Sequence, residues 1–146
     1  MRRGFVQAAA LFFYALTMKN RYIFKNLNPK GMFVGDCVVR AVAEALETSW
    51  DRAYLGLIDY GFRMKNLPNA NIVWGAFLYD HGFYKLPVTE CYPDHCTIRR
   101  FCEEHPSGTF VVATGEHVVC CRDGCYIDSW DSGDEVPIYY FYRRTK

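Results

Sequence analysis

No long apolar run, no surplus of charge and no repetitive tract occurs in this 146-residue chain, and each absence removes a class of function. A net charge of +1 with 23% charged residues offers none of the clustered Lys and Arg that draw a protein onto nucleic acid or an anionic membrane. No stretch reaches the roughly 20 apolar residues a membrane-spanning helix needs. Seven cysteines is an odd number, and they lack the even, regular spacing of a secreted disulfide framework. Reduced thiols acting as small buried hydrophobes are therefore expected, with a cytoplasmic, monomeric protein and no cofactor.

What is present is the composition of a folded globule: 51% hydrophobic and 17% aromatic residues over the length of one ordinary domain. The opening seventeen residues, MRRGFVQAAALFFYALT, pair two arginines with a short apolar run and imitate a secretory signal. Residues 1–17 are taken as an upstream extension or a degraded signal, which would make the protein secreted if it acts. Residues 18–146 are taken as a single domain.

Two halves differ in period. In GDCVVRAVAEALETSW the positions Cys37, Val38, Ala41, Val42, Ala45 and Leu46 follow the spacing of a helix with one buried face, and Asp36 stands at its N-cap. Ser49 caps a second helix, WDRAYLGLIDYGF, that closes near Gly61. NIVWGAFLYDHGF suggests a third, ending around Gly82, and Thr97 caps a fourth that stops before Pro106. From residue 108 the pattern turns strand-like in GTFVVAT, HVVCCR, CYIDSW and VPIYYFY, with Asp123-Gly124 as a two-residue hairpin turn. The fold class expected is α+β, with a helical half packed on a small antiparallel sheet. The aromatic run from Tyr139 to Tyr142 reads as strand packing.

The hairpin serves as a ruler. A turn at Asp123-Gly124 opposes Arg122 to Cys125, Val119 to Asp128 and His117 to Trp130. His117 and Asp128 then share a face as diagonal neighbours roughly 7 Å apart at Cβ, close enough for a carboxylate to meet an imidazole. Trp130 would shield that contact from water. An imidazole so oriented can deprotonate a thiol, and Cys37 is the candidate because it lies in the first turn of a helix, where free N–H groups favour negative charge. Nucleophile, base and orienting carboxylate in the order Cys37, His117, Asp128 follow the logic of a catalytic triad. Taken singly, each has a plainer reading: a core thiol, a structural imidazole, a turn carboxylate.

Cysteine at a helix start, histidine opening a later strand and Asp128-Ser129-Trp130 on the next resemble the papain-like cysteine peptidases, including their compact bacterial, bacteriocin-processing members. The opening NPKG and GDCVVRA also resembles that of small bacterial and phage-encoded proteins. The match spans residues 28 to 142 in order and topology. It implies a papain-like fold and a thioester mechanism on an amide or isopeptide bond of a protein or peptide. The family's cysteine shortly before the nucleophile is absent from VGDCVV. Gly31 stands where its oxyanion-hole glutamine falls, so the second oxyanion donor would come from Asn28, or from Lys30. A non-catalytic binding module on the same fold is the rival reading. A zinc site built on Cys91, Cys96, Cys102 and His105 is a third, although no paired CxxC supports it and no metal is expected.

Overall fold

The computed structural model describes residues 7–9, 21–89 and 96–143. The signal-like reading of residues 1–17 rests almost wholly on positions outside that set. The elements run β1 (Tyr22–Phe24), α1 (Cys37–Ala45), α2 (Trp50–Met64), α3 (Asn71–Asp80), β2 (Phe83–Pro87), α4 (Ile98–Glu104), β3 (Thr109–Ala113), β4 (Val118–Arg122), β5 (Cys125–Asp128) and β6 (Tyr139–Arg143). The fold is α+β.

Six strands form one sheet in the order β1-β5-β4-β3-β6-β2. All neighbours are antiparallel except β1 and β5, so the sheet is mixed rather than the four-stranded antiparallel sheet the strand pattern implies. The two strands without a clear sequence signal are its edges. The three residues of β1 and the largely exposed β2 carry too little periodicity to announce themselves.

Helices cover both faces. Val111, Ala113, Val118, Cys120 and Phe141 pack on one side with Val42, Leu57, Trp74 and Leu78 of α1 to α3. Val112, Val119, Cys121, Tyr126 and Tyr140 pack on the other with Ile98, Phe101 and Cys102 of α4. That two-sided burial explains why β4 reads as the unbroken run VVCC instead of alternating. Tyr140 and Phe141 point to opposite layers, so the aromatic tail is strand packing.

The hairpin is where the dipeptide indicates. Asp123 and Gly124 both have positive φ, 48° and 79°, the geometry of a turn that follows strand twist. Arg122 pairs with Cys125 and Cys120 with Ile127, the expected register. Ser49 and Thr97 cap their helices, accepting from the backbone N–H of Arg52 and Arg100 at 3.2 Å each. Two helix ends differ from expectation. The α2 helix continues past Gly61 to Met64 and closes on Lys65 in the left-handed region; Gly61 is small because a Cβ there would lie 2.7 Å from the Asn66 carbonyl oxygen. Asp36 occupies the N-cap position of α1, but its carboxylate makes no capping bond.

The α1 helix itself corrects the one-faced reading. Every residue from Val38 to Ala45 is buried, Arg40 and Glu44 included, because α2 lies on one side and the sheet on the other. The polar stripe points into the protein: Glu44 takes ion pairs from Lys25 at 2.7 Å and Arg122 at 2.9 Å.

Candidate active site

Cys37 is the first residue of α1, so its own N–H and those of the first turn have no helical acceptor. His117 directly precedes β4, held by a bond from its N–H to Thr114 Oγ1 at 2.9 Å. Asp128 ends β5. The structure brings these three side chains, from three separate elements, to one place.

His117 Nε2 lies 2.6 Å from Asp128 Oδ2. That contact leaves Nδ1 for the Cys37 thiol, which lies near enough to the His117 ring and the Val118 backbone N–H for both to favour its ionised form. The Trp130 ring rests 4.8 Å from the imidazole, centroid to centroid, and the residue is 43% exposed. It lines the contact and bounds it toward solvent.

Electrostatics favour the charged forms. Burial works to lower the pKa of His117, but Asp128 and Cys37 outweigh it and push the imidazole up to about 9. Burial works to raise the Cys37 thiol; the imidazole, the Val118 N–H and the Arg40 guanidinium nonetheless hold it below the ordinary thiol range. Both shifts run in the direction of a thiolate facing an imidazolium. Other thiols go the opposite way: burial pushes Cys120 up to about 12 and raises Cys121 strongly.

Asp128 is 1% exposed and fully engaged. Its Oδ2 also accepts from Ser132 Oγ at 2.7 Å, while Oδ1 accepts from Arg40 Nη1 and the Ser129 N–H, each at 2.7 Å. Burial alone would raise its pKa; these partners, His117 foremost, hold it below the usual carboxylate range. Sequence reasoning misses Ser132 and Arg40. Arg40 looks like a solvent-facing helix position, and its partner is 88 residues away.

Asn28 lies in the loop before α1 and is occupied there. Its Nδ2 donates to Asp36 Oδ2 at 3.2 Å, and its Oδ1 accepts from the N–H of Lys30 at 3.0 Å and of Met32 at 3.4 Å. One of its two amide hydrogens is thereby used. The backbone N–H of Lys30 is the atom that bonds Asn28, as part of the same turn. Asp36 gathers Asn28, Trp50 Nε1 at 2.9 Å and Arg40 Nε at 2.8 Å, so its carboxylate is held by side chains rather than by the N–H groups of α1.

The remaining candidates lie elsewhere. Cys102 is fully buried in the α4 layer, and His105 Nδ1 bonds the Phe101 carbonyl at 2.7 Å while its ring stacks on Phe101. Cys96 is disulfide-bonded, which departs from the all-reduced expectation and removes its sulfur as a thiolate ligand. Cys91 and His95 lie outside the described residues. Among the described residues no group of His, Cys, Asp or Glu is arranged to hold a metal. His81, like His105, bonds its own helix through Phe77. Among the described residues no helix is long and apolar enough to cross a membrane.

A cavity of about 420 Å³ opens beside the start of α1, walled by Val34, Val38, Trp50, Tyr54, Leu57 and Pro68. Val34, in that wall, and Met32 and Phe33, which precede it in the chain, are exposed. Comparison with protein-family models, with curated proteins and with solved structures finds no match.

Proposed function

We propose that the protein is a papain-like cysteine peptidase or a closely related acyl transferase acting on an amide or isopeptide bond. The observation that carries the reading is the convergence of the thiol at the start of α1 with His117, whose other ring nitrogen is held by the buried Asp128 carboxylate. The Cys37 thiolate attacks the carbonyl carbon and a C–S bond forms. As the C–N bond breaks, the imidazolium of His117 gives its proton to the departing amine. Water then loses a proton to the neutral imidazole and attacks the thioester, releasing the acid and restoring the thiolate. Asp128 keeps the ring oriented and favours its charged form. The Cys37 backbone N–H supplies one oxyanion donor, and the unused amide hydrogen of Asn28 supplies the second. Trp130 shields the His117–Asp128 contact.

The substrate is a protein or peptide, and the protein works as a cytoplasmic monomer without cofactor. Intact-mass analysis after brief exposure to a peptide library tests this: a covalent adduct that is cleaved by hydroxylamine and absent from Cys37→Ala identifies the thioester. A library left uncut by wild-type protein, with no adduct, removes the enzymatic reading.

A non-catalytic binding module is the second reading, favoured by the exposed Met32, Phe33 and Val34, the last in the wall of the apolar cavity. It predicts that a partner is held equally well by wild-type and Cys37→Ala protein and is released unmodified.

A further inference from the structure

Arg40 is 8% exposed and lies three residues beyond Cys37, on the same face of α1. A guanidinium at that depth is tolerated only when paired, because removing one partner of a buried ion pair is strongly destabilising. Its two partners are Asp36, at 2.8 Å from Nε, and Asp128, at 2.7 Å from Nη1. One carboxylate immediately precedes the thiol in the chain; the other bonds the imidazole.

The geometry points to Arg40 as a positioning residue that sets the alignment of the Cys37–His117 pair by clamping Asp36 and Asp128 to one rigid guanidinium. The clamp ties the residue just before the thiol's helix to the strand end that carries the carboxylate. It also occupies Oδ1 of Asp128, so that Oδ2 is the oxygen left to face His117. Only a planar fork does this, since an ammonium is a single point and cannot serve two carboxylates in fixed directions. The role assigned to the pair rests on the peptidase reading; the clamp does not.

Mere attachment of α1 to the sheet does not require Arg40. One turn further on, Glu44 already bridges α1 to Arg122 of β4 and to Lys25. The charged groups around the clamp are Asp36, Asp128, His117 and Cys37, with the Tyr22 hydroxyl 3.5 Å from the Asp128 carbonyl. Apart from His117, which meets Asp128 alone, every other donor to the two carboxylates is neutral: Asn28 and Trp50 on Asp36, Ser132 and the Ser129 N–H on Asp128. Arg40 is thus the one cation shared by both among the described residues.

The test compares wild type, Arg40→Lys, Arg40→Met and Glu44→Gln by thermal melting, by the proton resonance of His117 Nε2–H, and by iodoacetamide labelling of Cys37 at pH 6. Arg40→Lys keeps the charge and the fold where Arg40→Met leaves two buried carboxylates unpaired. The expected result is that folded Arg40→Lys loses the downfield, slowly exchanging His117 proton and labels about tenfold more slowly, as its thiol returns toward ordinary ionisation. Glu44→Gln lowers the melting temperature without moving either signal. A folded Arg40→Lys protein with the wild-type His117 resonance and labelling rate overturns the assignment. If wild-type Cys37 labels slowly at pH 6, the peptidase reading fails, while the His117 resonance still decides the role of Arg40.

Discussion

Replacing Asp128 by Asn removes one negative charge and leaves a side chain of the same shape against His117, Ser132 and Arg40. The imidazole stands at about 9 in the folded protein, against about 6.5 for a free histidine, a gap of about 2.5 units or roughly 3 kcal/mol. A group whose pKa rises on folding contributes stability that is complete below its unfolded pKa and disappears as pH climbs through the folded one. For His117 that window runs from about 6.5 to about 9. With the carboxylate gone, the larger of the two groups that hold the imidazolium is lost and its charged fraction at neutral pH falls. The Cys37 thiolate loses its partner in the same step. The assay is the rate of iodoacetamide labelling of Cys37 between pH 5 and 10 (about the range in which both groups titrate), read by mass spectrometry with near-UV circular dichroism as the control for folding. Wild type should react on a plateau through neutral pH; Asp128→Asn should lose the plateau and react only as an ordinary thiol ionises. A folded Asp128→Asn protein that keeps the wild-type profile refutes the electrostatic argument.

Two further predictions concern stability. Asp36 and Asp128 are both held below the usual carboxylate range by their partners, against the effect of burial. Their contribution is therefore present above about pH 4 and is lost as pH falls through their folded values, so unfolding by acid should steepen below about pH 4; circular dichroism that is unchanged down to about pH 2 would count against it. Gly61→Ala would set a methyl 2.7 Å from the Asn66 carbonyl oxygen and 3.2 Å from the Pro68 nitrogen, both backbone atoms that cannot swing aside. A loss of about 1–3 kcal/mol in urea unfolding is expected, and a neutral substitution would show that the turn after α2 is looser than described.

How much of this the sequence discloses depends on the range of the interaction. The β4–β5 hairpin is local, its turn is fixed by Asp123-Gly124, and a period of two then places His117 and Asp128 on one face. The capped starts of α2 and α4 are equally local. Arg40 is the opposite case. A helix reading assigns it to solvent by its charge, whereas packing of α1 between α2 and the sheet turns it inward to a carboxylate 88 residues away. Ser132 escapes notice for a related reason: it lies beyond β5, where no strand periodicity applies, and reaches Asp128 through loop geometry. The β1 edge is invisible because a three-residue strand pairs in parallel with residues a hundred positions on. The disulfide at Cys96 has no counterpart in the spacing of the cysteines.

The central claim is a single thiolate, created by its surroundings, among seven cysteines. Cys37 and Cys125 are comparably half-buried, so exposure alone does not separate them. Brief iodoacetamide treatment at pH 6 of the native protein, followed by peptide mapping, should find the label on Cys37 well before any other site. Labelling of Cys125 at an equal or greater rate would contradict the account.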